Sequence, residues 1–478
     1  MAKIRYVNCN LAILDEEHTE YRDTFRRTPV KGFLRRDQDG DALVEDTITR
    51  LHAWIASDKQ SPYIERDDLE LLGRHLYYFL FDESIRTAFE ECYQGFRDGS
   101  FDENARLRLV LAFHEKAKRL AALPWEFLFM PKRENQPGFF VCAEKRTELI
   151  LTRFVPESSP DDTLHPEETN LKILVVFANP SELGRRLNAD EFLEKIAAMK
   201  RVEVKSITKE AATRQDVERV IGEFKPHVFH FIGHGDAEKG IALMRTPEEI
   251  EEYLNETGDI KDVEWVDGRG LNSMFANAHP RLVFLHACNG ATADSMNGFN
   301  STAHDLVYSY RVPAVIAMQY AIENGAAARF ARTFYQQISD GSSIDIAVSE
   351  GRWELRQSQR GEFADPAFGT PIVYVQNERA ESAIIDHRAE EAETPRVVSC
   401  PYGCGGFVVV GTPFCGTCKQ PLTGEAGVAQ ATASSSTRDS QVETGHGGVA
   451  PELADTQEPT SSGLSATVDG VKELTRIE

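Results

Sequence analysis

Between Leu171 and Val375 the chain alternates apolar runs with amphipathic stretches. LKILVVFANP, VEVKSIT, HVFHFIGHG, RLVFLHAC and AVIAMQY are short and rich in β-branched and aromatic residues, and they read as strands. DEFLEKIAAMK, TRQDVERVIGEF, LNSMFANA, TAHDLVYSY and a long stretch over 324–338 space their apolar residues as helices do. Apolar strands separated by amphipathic helices predict an α/β fold: a mostly parallel sheet with helices on both faces. In such a sheet the site lies outside the carboxyl ends of the strands.

Upstream, RYVNCNLAIL, RLRLVLAF and TELILTRFVP read as strands and LELLGRHLYYFLFDESIRTAFEECY as helical, which predicts a mixed α/β N-terminal unit over 1–165. The polar, proline-bearing ESSPDDTLHPEETN marks its boundary with a core over 166–378. A charged linker over 379–397 and a cysteine cluster over 398–423 follow. The remainder, 424–478, is acidic and rich in Ser, Thr and Gly, so it buries too little apolar surface to offset its ordering entropy and is predicted to be disordered.

Charge narrows the function. Against 53 basic residues stand 76 acidic ones, a net charge of −23. Such a surface repels phosphate backbones and argues against nucleic-acid binding through a broad basic face, while leaving room for a local patch. The apolar runs fall short of the roughly 20 residues that span a bilayer, and MAKIRYV carries no signal-peptide core. The expectation is a soluble, cytoplasmic protein with no membrane partner. Scattered Cys9, Cys92, Cys142 and Cys288 agree with a reducing compartment.

Two residues stand where the topology puts chemistry. His234, in HFIGHGD, and Cys288, in LHACNG, each follow the last apolar residues of a predicted strand and are expected at one edge of the sheet. Singly, a strand-end cysteine is a small buried hydrophobe and a histidine between glycines is a turn residue. Together, an imidazole that accepts the thiol proton and later protonates a leaving amine makes the sulfur a nucleophile. Gly233 and Gly235 allow close backbone approach and expose main-chain N–H groups that could hold a developing oxyanion.

HACNG, with a histidine 54 residues before its cysteine, parallels the order and spacing of the caspase signature. More widely, LAALPWEFLF, TELILTRFVP, LKILVVFANP, HVFHFIGHGD, RLVFLHACNG, VPAVIAMQYAIENGAAARFARTFY and FGTPIVYV, in that order across residues 1–378, resemble the CHAT family of caspase-like domains related to separases. The resemblance implies a cysteine endopeptidase with His234 as general base and acid, Cys288 as nucleophile, and an oxyanion hole from the N–H groups of Gly235 and Cys288. It implies no catalytic cofactor, a protein substrate, an activating sensor or regulatory partner, and a role in bacterial defence or cell death.

In that fold the residue two before the cysteine lines the substrate pocket; here it is His286, which matches neither known preference and reads equally as a core histidine. Asn179 and Asp294 are further pocket candidates. Pro124, Trp125 and Phe127 are expected to pack the N-terminal unit against the protease sheet. A caspase-like scaffold with an inert dyad, acting as an adaptor, is the alternative, and a small-molecule amidase a third reading.

CPYGCGGFVVVGTPFCGTC carries Cys400, Cys404, Cys415 and Cys418 as two short pairs about a strand-like FVVVG. Four thiolates so spaced can close a tetrahedral shell around Zn²⁺, which predicts a structural zinc ribbon. A unit that small needs such a staple to fold.

Overall fold

The computed structural model describes residues 5–26, 28–34, 64–97, 105–117, 119–132, 137–143, 149–155, 169–183, 189–208, 211–236, 239–287, 300–310, 312–319, 322, 324–357, 363–364, 366–376, 384–385, 397–399, 407–409 and 418. The chain divides into two units, Met1–Thr394 and Pro395–Glu478.

The first unit opens with strands β1 (Arg5–Ile13), β2 (His18–Asp23) and β3 (Val30–Phe33), then helices α1 (Arg66–Leu80) and α2 (Glu83–Arg97). The single helical pattern read there is thus two helices. Asp82 makes the break: its Oδ1 accepts the Ile85 N–H at 2.9 Å, capping α2, and its Oδ2 accepts the Phe33 N–H at 3.0 Å. β4 (Ala105–Phe113) and β5 (Leu149–Phe154) follow. Then come β6 (Leu171–Phe177), α3 (Asp190–Ala197), β7 (Val202–Thr208), α4 (Arg214–Phe224) and β8 (Val228–Gly233). A flap inserted after β8 pairs Gly235–Asp236, Gly240–Met244 and Val263–Val266 antiparallel, and α5 (Pro247–Thr257) lies between the last two. The chain continues through α6 (Gly268–Met274), β9 (Leu282–Ala287), α7 (Asn300–Tyr308), β10 (Ala314–Met318), α8 (Asn324–Ser339), α9 (Ile344–Arg356) and β11 (Pro371–Val375).

Among the described residues the eleven numbered strands form one sheet, ordered β7-β6-β8-β9-β10-β11-β5-β4-β1-β2-β3. β7, β6, β8, β9 and β10 run parallel; β11 is antiparallel to β10 and begins a second parallel block with β5, β4 and β1. The sheet therefore continues across the segment read as a domain boundary. Burial explains its two-sided patterning. Leu171, Ile173, Val175 and Phe177 of β6 pack into one apolar layer with Phe192 of α3 and Phe334 of α8, while Leu174 and Val176 face Val217 of α4 and Leu306 of α7. Helices thus cover both faces, the expected α/β arrangement. Among the described residues no helix is long and apolar enough to cross a membrane.

Three elements escaped the sequence reading. β2 alternates buried and outward positions, so HTEYRD looks polar overall. α9 begins in a buried polar cluster in which Ser343 Oγ donates to Asp345 at 2.5 Å and Arg108 of β4 pairs with the same carboxylate at 2.5 Å. The insertion after β8 is an ordered flap.

In the second unit Val397–Ser399 pairs antiparallel with Phe407–Val409, Ser399 lying opposite Phe407.

Candidate active site

The parallel ladder between β8 and β9 runs from Val228↔Leu282 to Gly233↔Ala287. His234 comes directly after Gly233, and in sequence Cys288 follows Ala287, the two paired strands lying about 4.8 Å apart. Cys288 and Asp294 lie outside the described residues. On the other side of β8, Ile232 pairs with Phe177 of β6, and two residues past Phe177 comes Asn179. The carboxyl ends of β6, β8 and β9 thus bring Asn179 and His234 to the edge on which β9 also ends.

Gly233 is required for this approach. A Cβ there would meet the Phe231 ring and, at 2.9 Å, the carbonyl oxygen of Ala178. Without one, the Ala178 N–H reaches the Ile232 carbonyl at 3.1 Å and holds β6 against β8 up to their ends.

His234 is 3% exposed. Burial lowers its pKa, so the imidazole is neutral at neutral pH and able to accept a proton. Its Nε2 is buried and has no hydrogen-bond partner among the described residues. Its carbonyl accepts the Ala242 N–H of the flap at 3.0 Å. Gly235↔Ile241 is therefore a pair across which no bond passes, and the Gly235 N–H is directed away from the hairpin partner. The flap thereby orients that N–H. The Oδ1 of Asn179 is likewise buried with no hydrogen-bond partner among the described residues.

His286 sits deeper. It is buried on the face that carries His230, Phe284 and Tyr335, its ring 5.8 Å from that of His230. Burial pushes its pKa down to about 4, and burial together with the His286 charge keeps that of His230 well below the usual value. His230 stacks on Phe284 at 4.2 Å and shares a 2.8 Å hydrogen bond with the Tyr335 hydroxyl.

An ion network next to this edge was not read from the sequence. Gln319, directly after β10, donates to Glu126 Oε2 at 3.0 Å and to the Gly369 carbonyl at 2.6 Å. Glu126, Arg153 and Arg352 are fully buried. Glu126 accepts the Arg153 Nε–H at 3.0 Å and pairs with its NH2 group, and Arg352 lies 3.6 Å away. The segment holding Pro124, Trp125 and Phe127 does pack, with Trp125 stacked on Phe113 and Phe127 edge-on to Phe368, but its carboxylate is what ties Arg153 of β5 to α9 and the end of β10. A lone Glu in LAALPWEFLF and a lone Arg in TELILTRFVP were the available signals.

Of the four clustered cysteines, Cys418 is described, as half-buried, and Cys400, Cys404 and Cys415 lie outside the described residues. Cys400 and Cys404 fall in the connection between the paired strands Val397–Ser399 and Phe407–Val409. Among the described residues no group of His, Cys, Asp and Glu is clustered to hold a metal.

The sequence model of the CHAT domain matches residues 70–392. No curated protein matches the chain. Among solved structures the chain is similar to Saccharomyces cerevisiae separase in its complex with securin, with 12% identity and a TM-score of 0.40, covering 78% of this chain and 30% of the separase chain. This chain thus spans under a third of that protein's length.

Proposed function

The chain belongs to the CHAT-domain family, and from that premise we propose that it is a caspase-like cysteine endopeptidase with His234 and Cys288 as its dyad. The observation that supports this most is the register that pairs Gly233 with Ala287, His234 and Cys288 being the residues that follow them in sequence.

In this reading His234 takes the proton of Cys288, and the thiolate attacks the carbonyl carbon of the scissile peptide. The N–H groups of Gly235 and Cys288 receive the oxyanion. His234 returns the proton to the departing amine as the C–N bond breaks, leaving a thioester. A water molecule gives its proton to His234, attacks the thioester and frees the acid, and the sulfur recovers a proton. A neutral His234 suits the first step. Asn179 offers a buried acceptor to a substrate N–H from the neighbouring strand end. His286, Asp294 and the residue preceding the cut belong to the same proposal. The substrate is a protein, and a regulatory partner governs activity, as befits a protease working among its own host's proteins.

The four cysteines form a suitable donor set for one structural Zn²⁺: Cys400 and Cys404 from the hairpin connection, Cys415 and Cys418 from beyond its second strand. A closed shell of four thiolates supplies stability to this small unit and takes no part in the cleavage.

Labelling with an electrophilic thiol probe tests the dyad. Selective modification of Cys288 that drops by at least roughly tenfold in His234→Ala is expected. Labelling of Cys288 at the rate of the exposed thiols, indifferent to His234, overturns the peptidase and leaves an inert scaffold. New N-termini in candidate partner proteins, produced by wild type and absent with Cys288→Ala, identify the substrate.

A further inference from the structure

Two of the scattered cysteines meet in the core of the N-terminal half. Cys9 of β1 and Cys92 of α2 are 83 residues apart in sequence, and their sulfurs lie 3.3 Å apart. Cys9 is completely buried and Cys92 is 5% exposed. A core cysteine is ordinarily a small hydrophobe. Two in contact between a strand and a helix have a chemistry that one alone lacks.

The contact is held from several directions. β1 is hydrogen-bonded along both edges, with Cys9 opposite Asp23 of β2 and Leu109 of β4. α2 buries Ile85, Ala88, Phe89 and Cys92 at helical spacing. It lies close against the sheet: a Cβ on Gly32 of β3 would overlap the Ile85 side chain. Arg26 then clamps the neighbours of both sulfurs. Its Nε–H donates at 3.1 Å to Asp23, the strand partner of Cys9, and its NH2 group pairs with Glu91, the residue before Cys92. The two thiols are thus kept together by the apolar layer around them and by an ion pair at its rim. A disulfide needs about 2.05 Å between its sulfurs, so closure asks for roughly 1 Å of approach.

We infer that Cys9 and Cys92 form a peroxide-responsive dithiol whose closure to a disulfide staples β1 to α2. The Cys92 thiolate attacks one oxygen of hydrogen peroxide. The O–O bond breaks, leaving a sulfenic acid and a hydroxide that takes up the thiol's proton as water. The Cys9 sulfur then attacks the sulfenic sulfur, the S–O bond breaks, and the departing hydroxide carries off the Cys9 proton as a second water. Each sulfur has lost one electron and the peroxide has gained two. Burial holds the Cys9 thiol well above its usual pKa, so thiolate is scarce there and the less buried Cys92 is the sulfur that peroxide meets first. The staple closes a loop containing β2, β3 and α1, and so restricts the unfolded chain over that whole span. It is independent of the dyad and holds whether or not the chain cleaves peptides.

Peptide mapping of the full chain tests it, with Cys288→Ala removing the candidate nucleophile from the reaction. The protein is exposed to hydrogen peroxide in native buffer, remaining thiols are alkylated in urea, and tryptic peptides are analysed without reductant. The expected product is Tyr6–Arg22 joined to Thr87–Arg97, two hydrogens lighter than the separate peptides and split again by dithiothreitol. Cys142, whose thiol donates to the Glu126 carbonyl at 2.8 Å, is expected as an alkylated thiol. Closure should raise the urea midpoint by roughly half a molar or more, and in Cys92→Ala or Cys9→Ala peroxide should leave the midpoint where it was. Recovery of Cys9 and Cys92 as alkylated thiols, oxidation of either one singly to sulfinic acid, pairing of either with Cys142, or a midpoint that does not rise overturns the inference.

Discussion

Glu126 gives the sharpest stability prediction. Replacing it by Gln keeps the shape and removes the charge. Two guanidiniums then remain in the core without an anion: that of Arg153, which is fully buried with Nε 3.0 Å from the carboxylate, and that of Arg352, 3.6 Å from it. Removing one partner of a buried ion pair costs about 3–5 kcal/mol. Here carbonyl dipoles offset part of the loss. Arg352 keeps the Pro371 oxygen at 2.7 and 3.1 Å and the Leu151 oxygen at 3.2 Å, and Arg153 keeps Ala121 at 2.5 Å and the Tyr374 hydroxyl at 3.3 Å. The lower end, about 3 kcal/mol, is therefore expected for Glu126→Gln. Arg153→Met added to Glu126→Gln should recover part of it, with a coupling energy of roughly 1–3 kcal/mol. Urea unfolding followed by tryptophan fluorescence, with Trp125 next to the substitution, measures both values, provided the slope m is unchanged. A loss below about 1 kcal/mol, or strict additivity in the double variant, would refute the view that this carboxylate neutralises both arginines.

Three further outcomes follow from the same structure. Burial holds His286 down to about 4, and lowers His230 and His234, while unfolded histidines titrate near 6.5. The unfolded chain therefore binds protons that the native state refuses: this stability is whole above pH 6.5 and is lost as pH falls toward 4, about 3 kcal/mol of it through His286 alone. Urea midpoints taken from neutral to acid pH check the slope, which His286→Asn should reduce. Gly233→Ala drives a methyl against the Ala178 carbonyl and the Phe231 ring, and should destabilise by about 1–3 kcal/mol and slow probe labelling of Cys288; unchanged labelling would mean that the β6–β8 approach does not set the dyad. Elemental analysis should find one zinc per chain, lost in Cys400→Ser or with a strong chelator, while the melting of the unit Met1–Thr394 stays where it was.

The central strands were legible because they are apolar on both faces and bounded by polar residues, RLVFLHAC containing β9, while VEVKSIT, which coincides with the half-exposed β7, was legible from its β-branched residues. Their parallel order followed from the helices between them. The helix ending at Leu80 was read through into the next because Phe81 is apolar and the side-chain cap by Asp82 is invisible to periodicity. The ion network was illegible for a different reason. Glu126 meets Arg153 and Gln319 across 27 and 193 residues of chain, and no local pattern records which lone charge will find which. The candidate dyad was readable from strand ends and glycines.

β11 has one further consequence. It lies between β10 and β5, with Tyr374 opposite Arg153 and Val375 opposite Phe154. A fragment beginning near residue 166 would lack β5 and so turn the unmatched N–H and C=O groups of β11 toward water, alongside apolar side chains bared on both faces. Such a rim captures whatever extended chain it meets, another copy first of all. Anyone expressing that fragment alone should therefore expect insoluble material, and the first 155 residues are better regarded as the lining that keeps the rest of the garment from fraying.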